Sequence, residues 1–201
     1  MNKINNSRGM IDVSIPFPDS EKNDFTFIDL FAGIGGFRIA LQDIGGRCVF
    51  SSENNTYAQQ TYALNFGKIP YGDITKKEVQ ESMPNDFDLL CAGFPCQAFS
   101  IAGYRKGFAD TRGVLFFEIA DIIKKHRPKA ILLENVKNLF YHDKGKTFNV
   151  ILDVLQRELK YKTTYRILNP VQTQVTNATL GGEQMQLKFY QKRGREPPLS
   201  D

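Results

Sequence analysis

The chain has no tryptophan, only two histidines and only three cysteines in 201 residues. Cys48, Cys91 and Cys96 are odd in number, and their spacings match no zinc-ligand pattern. That argues against a disulfide-stapled secreted domain and against structural zinc, and no other metal site is expected. No signal peptide is visible, and no apolar run approaches the length needed to cross a bilayer. A reducing cytoplasm is the expected compartment, with Cys48 and Cys91 as small buried hydrophobes on strands. The histidines are His126, at a helix end, and His142, in a loop. Neither suits the base of a protease-like Cys–His pair. No internal repeat is present.

What remains is ordinary for a soluble globular protein: 41% hydrophobic and 24% charged residues. The length suits one domain, or one and a fraction, with core enough to need neither disulfides nor metal. The net charge of +4 permits an anionic partner such as nucleic acid. Many enzymes of neutral substrates carry a similar charge, so this alone demands no such partner.

Residues 1–24 are polar and read as a flexible arm with an apolar patch, Ile11 to Phe17, suited to local docking. Phe25 to Leu30 predicts a buried strand, followed by the turn Phe31-Ala32-Gly33-Ile34-Gly35-Gly36 and a helix from Phe37 to Ile44. Gly45-Gly46 stops that helix. Strand, glycine turn and helix open a nucleotide-binding α/β unit, because glycines admit a ligand close to the backbone. The phosphate-binding G-x-G-x-x-G pattern is not met, since Arg38 occupies the last glycine position. A merely structural turn stays open. Arg47 to Ser52 predicts the second strand, ending at Glu53, twenty residues beyond Gly33. An acid at that spacing binds ribose hydroxyls in this architecture; the alternative is a solvated carboxylate. Asn54 to Phe66 predicts a helix with Tyr57, Tyr62, Ala63 and Phe66 inward, and Ile69 to Tyr71 a short strand. Asp73 after it could accept from an exocyclic amine, or could be a turn or cap residue.

Phe87 to Ala92 predicts a further strand that delivers Gly93-Phe94-Pro95-Cys96-Gln97-Ala98-Phe99-Ser100. A cysteine there, at the mouth of a long loop, suits a nucleophile better than core filler. The loop to Arg112 carries Tyr104, Arg105, Lys106 and Phe108, which suits a lid meeting phosphates and bases, or an ordinary solvated loop. Val114 to Lys125 predicts an apolar helix, and Lys129 to Leu133 a buried strand ending at Glu134-Asn135. Ligands bind along the carboxyl ends of strands in open α/β sheets. Lys144 to Lys160 predicts an amphipathic helix with Phe148, Ile151, Leu152, Leu155 and Leu159 on one face. Tyr161 to Leu168 predicts another strand. Beyond Asn169 the chain reads as a divergent tail on which composition forces no structure, although Gln184 to Tyr190 could be a strand.

An adenosine site, a cysteine nucleophile and a glutamate on one sheet edge suggest covalent catalysis on an electrophile. Phe27 to Arg38, Gly93 to Ser100 and Glu134-Asn135-Val136 resemble, in order and spacing, the DNA cytosine-5 methyltransferases of bacterial restriction–modification systems. The resemblance covers about Phe25 to Asn169. It implies an α/β fold, a Rossmann-like methyltransferase sheet flanked by helices, incomplete at the C-terminus. It implies S-adenosyl-L-methionine as cofactor, held by Phe31, Gly33, Gly35, Glu53 and Asp73, with Pro95 and Leu115 lining the pocket. It implies double-stranded DNA as substrate, a flipped cytosine, attack by Cys96 on C6, protonation of N3 by Glu134, and Asn135 orienting the site. Gln97, Ser100, Arg105, Lys106 and Arg112 would meet the DNA.

The chain departs from the family's pattern in two places. Asn54 stands where the family has a bulky aromatic, often tryptophan, after the ribose-binding glutamate. The family's target-recognition domain and closing helix have no counterpart after Asn169. Gln191, Arg193 and Arg195 match its Gln-x-Arg-x-Arg motif, late in the chain and followed by Glu196-Pro197-Pro198 rather than a strand. The expectation is a methyltransferase needing a second chain for target recognition. The alternative is a truncated, inactive relative that retains only cofactor or partner binding. A nucleotide-dependent oxidoreductase would leave Cys96 and Glu134 unexplained.

Overall fold

The computed structural model describes residues 15–95 and 115–168 in full, and residues 3–6, 9–12 and 184–191 by their backbone. The chain divides into two compact units, Met1–Pro84 and Asn85–Asp201.

In the first unit, β1 (Lys3–Asn6) and β2 (Gly9–Asp12) form an antiparallel pair. β3 (Phe25–Leu30) lies parallel to β4 (Gly46–Ser52), with α1 (Gly36–Asp43) as the crossover between them. Parallel neighbours need such a crossover, so this is a βαβ unit. α1 stops where expected because Gly45 has φ 94°, and a side chain there would run into the Asp24 carboxylate. Phe27, Ile28 and Leu30 of β3, Phe50 of β4, and Tyr62 and Phe66 of α2 (Thr56–Phe66) are buried. α3 is the short helix Lys77–Glu81.

Two details of this unit differ from the sequence reading. Tyr57, expected to face inward, is 81% exposed, because it lies in the first turn of α2 and only Tyr62 and Phe66 of that helix are buried. The strand expected at Ile69 to Tyr71 shrinks to a single parallel bridge, Ser52 to Tyr71. Pro70 has no N–H to donate to a ladder, and Ile69 is solvent-exposed. Tyr71 is nonetheless fixed: its N–H donates to the Ser51 carbonyl, its carbonyl accepts from Glu53 N–H, and its ring stacks on Phe50 at 4.8 Å.

In the second unit, β5 (Leu89–Gly93) runs parallel to β6 (Ala130–Val136), with α4 (Leu115–His126) between them in sequence. α5 (Asn138–Tyr141), a 3-10 turn (His142–Gly145), α6 (Lys146–Asp153) and a π-turn (Val154–Glu158) lead to β7 (Tyr161–Leu168). β8 (Gln184–Gln191) lies antiparallel between β6 and β7. The core is aliphatic and aromatic: Leu90, Cys91, Phe116, Ile119, Ile123, Ile131, Leu133, Ile151 and Leu155 are all at most 1% exposed. The helix expected from Lys144 begins two residues later, because Asp143, Lys144 and Gly145 all have positive φ. Its apolar face survives the change to π-turn geometry, with Phe148, Ile151, Leu155 and Leu159 buried. Among the described residues no helix is long and apolar enough to cross a membrane.

α2 starts at a side-chain cap. Asn55 Oδ1 accepts from Tyr57 N–H at 3.0 Å and Ala58 N–H at 3.1 Å. Asn55→Ala is expected to cost about 1 kcal/mol, read as a lower urea midpoint at unchanged m-value; an unaltered midpoint would mean the cap contributes nothing.

Candidate functional site

In the first unit the candidate residues gather at the carboxyl ends of β3 and β4. The chain leaves β3 through Phe31, whose φ of 57° is unusual for a bulky side chain. Gly33 and Gly35 follow at φ 55° and 97°, the left-handed region that a side chain resists. Gly35 is required twice over, since a Cβ there would sit 2.1 Å from the Phe66 ring. Gly33 is different: among the described residues a Cβ there would meet nothing within 4 Å, so the backbone borders open space on that side of the unit. Gly35 N–H donates to Ala32 O at 2.8 Å, and Asn65 Nδ2 donates to Ile34 O at 2.9 Å.

Glu53 belongs to this turn. Its Oε2 accepts from Gly33 N–H and its Oε1 from Asn55 N–H, both at 2.8 Å. It is therefore not merely a solvated carboxylate. It ties the glycine turn to the start of α2, and each oxygen keeps lone-pair capacity for a ligand hydroxyl. Asp73 lies after the Tyr71 bridge, and its Oδ1 accepts from Thr75 N–H at 2.9 Å. The turn-residue alternative thus describes part of what it does. Asn54, beside Glu53, is exposed.

Beneath the turn lies a polar cluster that pattern reading passed over. Asp29 is fully buried, and among the described residues neither carboxylate oxygen has a hydrogen-bond partner; buried Ser52 Oγ has none either. Burial pushes the Asp29 carboxyl up to about 8; Arg38 opposes the shift and Glu53 adds to it. Arg38, 1% exposed, donates to Gln42 Oε1, to Tyr62 Oη at 3.0 Å and to Asp19 Oδ1 at 2.6 Å. Burial pushes the Cys48 thiol up to about 12, which makes it inert as a nucleophile. A signal for this cluster was present: Asp29 is a charge inside the strand run Phe25 to Leu30, and Arg38 and Gln42 lie four residues apart on one helix face.

In the second unit the residues lie at the carboxyl ends of β5 and β6. Gly93 is the register partner of Glu134. Burial raises the Glu134 carboxyl above its ordinary value, so it holds its proton more readily than a free side chain. Asn135 is 2% exposed. Its Nδ2 donates to Phe94 O at 2.6 Å, and its Oδ1 accepts from Val136 N–H. Asn135 thus pins the backbone one residue before Pro95, while the Phe94 ring is buried 6.0 Å from Phe116. Pro95 is exposed and Leu115 is half-buried at the start of α4. Cys96, Gln97, Ser100, Arg105, Lys106 and Arg112 lie outside the described residues, as do Arg193 and Arg195. His142 Nδ1 is 2.7 Å from Thr147 Oγ1 and His126 Nδ1 is 3.1 Å from Asn85 O. Among the described residues no cluster could hold a metal ion.

Asp29 makes a testable mark on stability. Its folded pKa of about 8 lies above the unfolded 3.8, so between these values the folded state holds a proton that the unfolded state has lost. Stability then falls as pH rises, by about 1.4 kcal/mol per pH unit for one proton. Asp29→Asn is expected to flatten that slope and to be the more stable form near pH 7. Denaturation of both forms from pH 5 to 8 checks this, and parallel curves would refute it.

Residues 25–177 match the model of the C-5 cytosine-specific DNA methylases. The chain is 63% identical over 147 residues to the type II methyltransferase M.HpaII of Haemophilus parainfluenzae, covering 72% of this chain and 41% of that protein. It is 50% identical over 155 residues to M.HhaI of Haemophilus parahaemolyticus, covering 77% of this chain and 46% of that protein. It thus spans less than half the length of these relatives. Among solved structures, the Dnmt2 methyltransferase of S. pombe superposes with a TM-score of 0.63 at 23% identity, covering 86% of this chain and 51% of that one. That likeness supports the methyltransferase-type α/β fold alone. With the family model matched from the first strand of the βαβ unit through β7, the chain belongs to the C-5 cytosine-specific DNA methylases.

Proposed function

We propose that the chain binds S-adenosyl-L-methionine at the glycine turn of the first unit. We further propose that it carries the catalytic residues for methyl transfer to C5 of cytosine in double-stranded DNA. The observation that carries the reading is the Glu53 carboxylate bonded to Gly33 beside open space. Acceptors for ribose hydroxyls and a backbone that admits close approach are what an adenosine ligand needs. Glu53 would take the ribose, Asp73 the adenine amine, and Phe31, Gly33 and Gly35 the remaining edge, with Pro95 and Leu115 lining the pocket. When bound, this cofactor supplies a methyl group on a positively charged sulfur.

The chain's residues account for the rest. Cys96, as thiolate, would bond to C6 of a cytosine flipped from the duplex. Glu134 would give its proton to N3, which moves electron density to C5. C5 takes the methyl group; loss of the C5 proton to a base then restores the double bond and expels the Cys96 thiolate. The raised pKa of Glu134 supports the donor role. Asn135 would act through Phe94, holding the segment that leads to Cys96. Gln97, Ser100, Arg105, Lys106 and Arg112 would contact the DNA. Activation at N3 lets the cysteine work without a histidine. The cytoplasm is the compartment in which we place the reaction.

Tritium transfer from the labelled cofactor to unmethylated duplex DNA tests the reading, with the chain alone and with the candidate second chain. Incorporation in either reaction supports it. Cofactor binding without incorporation in both would favour an inactive relative. A duplex carrying 5-fluorocytosine should trap a covalent adduct that Cys96→Ser abolishes; an adduct that survives the substitution would remove Cys96 from the mechanism. Glu53→Ala should weaken cofactor binding at least about tenfold, the scale of a lost charge-assisted hydrogen bond; equal affinity by calorimetry would detach Glu53 from the site.

A further inference from the structure

The segment before the first parallel strand is bound to the glycine turn by two separate routes. The first runs through the end of α2. Phe17 N–H donates to Asn65 O at 3.0 Å, and the Asn65 side chain donates to Ile34 O inside the turn. The Phe17 ring lies 6.0 Å from that of Phe66. The second runs through a buried charge. Asp19 pairs with Arg38 at 2.6 Å, and the Arg38 guanidinium lies 4.3 Å over the Phe66 ring. That same ring fills the space a Cβ on Gly35 would need. Gln42 holds the strap from below by donating to Pro18 O, and Lys68 makes the second ion pair with Asp19.

A guanidinium that is 1% exposed is costly to bury without a carboxylate partner. Arg38 has such a partner in Asp19, whose carboxylate is itself 40% exposed and comes from outside the βαβ unit. The charge that seats Arg38 is thus delivered by the strap. Nothing in the chemistry of methyl transfer calls for either residue.

We propose that Asp19 and Arg38 are positioning residues for the glycine turn, so that docking of the strap Pro16–Asp19 sets how tightly the turn holds its ligand. The proposal rests on the methyl-donor reading of that turn for its ligand, but not for its mechanics. The strap holds Asn65 and Phe66, these two hold Ile34 and Gly35, and the turn presents Gly33 and Glu53.

Two measurements on the full chain test it: calorimetric affinity for S-adenosyl-L-methionine, and hydrogen exchange of the Gly33 and Gly35 amides without ligand. Asp19→Asn keeps shape and removes charge at a partly exposed site, so the variant should fold. It is expected to weaken binding about tenfold, as for a lost charge-assisted bond, and to speed exchange at both glycines while β5 and β6 amides keep their rates. Asp19→Glu should restore both readouts. Lys68→Met, which removes only the exposed partner, should match wild type in both. A melting temperature lowered by Asp19→Asn with unchanged glycine exchange and unchanged affinity would overturn the proposal, since the strap would then be structural only. If wild-type protein shows no saturable binding, the methyl-donor reading falls; the exchange rates then decide the strap's role alone, faster exchange supporting it and unchanged exchange refuting it.

Discussion

The first unit depends on one carboxylate. Glu53 accepts from Gly33 N–H on one oxygen and from Asn55 N–H on the other. Left-handed glycines make a turn that will not hold itself, because glycine gives up more conformational freedom than any other residue on ordering. Two charge-assisted bonds to one rigid group offset that cost. They also orient the Glu53 backbone, whose N–H meets Tyr71 O and whose carbonyl accepts from Gln59. The turn, the start of α2 and the Tyr71 bridge are set together.

The two units hold themselves together differently. The second has an apolar interior in which Leu90, Ile119, Ile131, Leu133 and Ile151 are nearly inaccessible, and its buried amide Asn135 donates to Phe94 O and accepts from Val136 N–H. The first encloses Arg38, Asp29, Gln42 and Ser52. Arg38 is satisfied by Asp19, Gln42 and Tyr62, whereas Asp29 and Ser52 keep oxygens unpartnered among the described residues. Buried polar groups of this kind cost stability unless something engages them. They lie beneath the turn proposed to bind the ligand, and functional sites are where proteins accept such costs.

Much was legible in the chain. The β-branched and aromatic run at Phe25, the glycines after it and Glu53 twenty residues beyond Gly33 mark a βαβ unit with an acid at the end of its second strand; the hydrogen bond that joins Glu53 to Gly33 came from the structure. The apolar periodicity of Phe148, Ile151 and Leu155 marked a packed helix face. What escaped reading has local causes. Tyr57 looks inward on a helical wheel, but the wheel knows nothing of where the helix starts relative to the sheet. Ile69 to Tyr71 has strand composition, yet Pro70 leaves only a bridge. The arm before Phe25 reads as polar and loose, because no periodicity announces that Asp19 will meet Arg38.

The strands along the chain and the glycine turn were therefore determined by sequence alone, since each rests on local composition and short spacing; the roles proposed for Cys96 and Glu134 rest on the family resemblance. Tertiary structure decided which of those groups act on one another. Asn135 is pinned to Phe94 because β5 and β6 pair in parallel, bringing residues 41 apart in the chain within 2.6 Å. Asp19 reaches Arg38 because the strap folds back on α1 and α2. Asp29 holds its proton because burial withholds water from it. Each depends on distance in space and on exclusion of solvent, and neither is written in the neighbourhood of a residue along the chain.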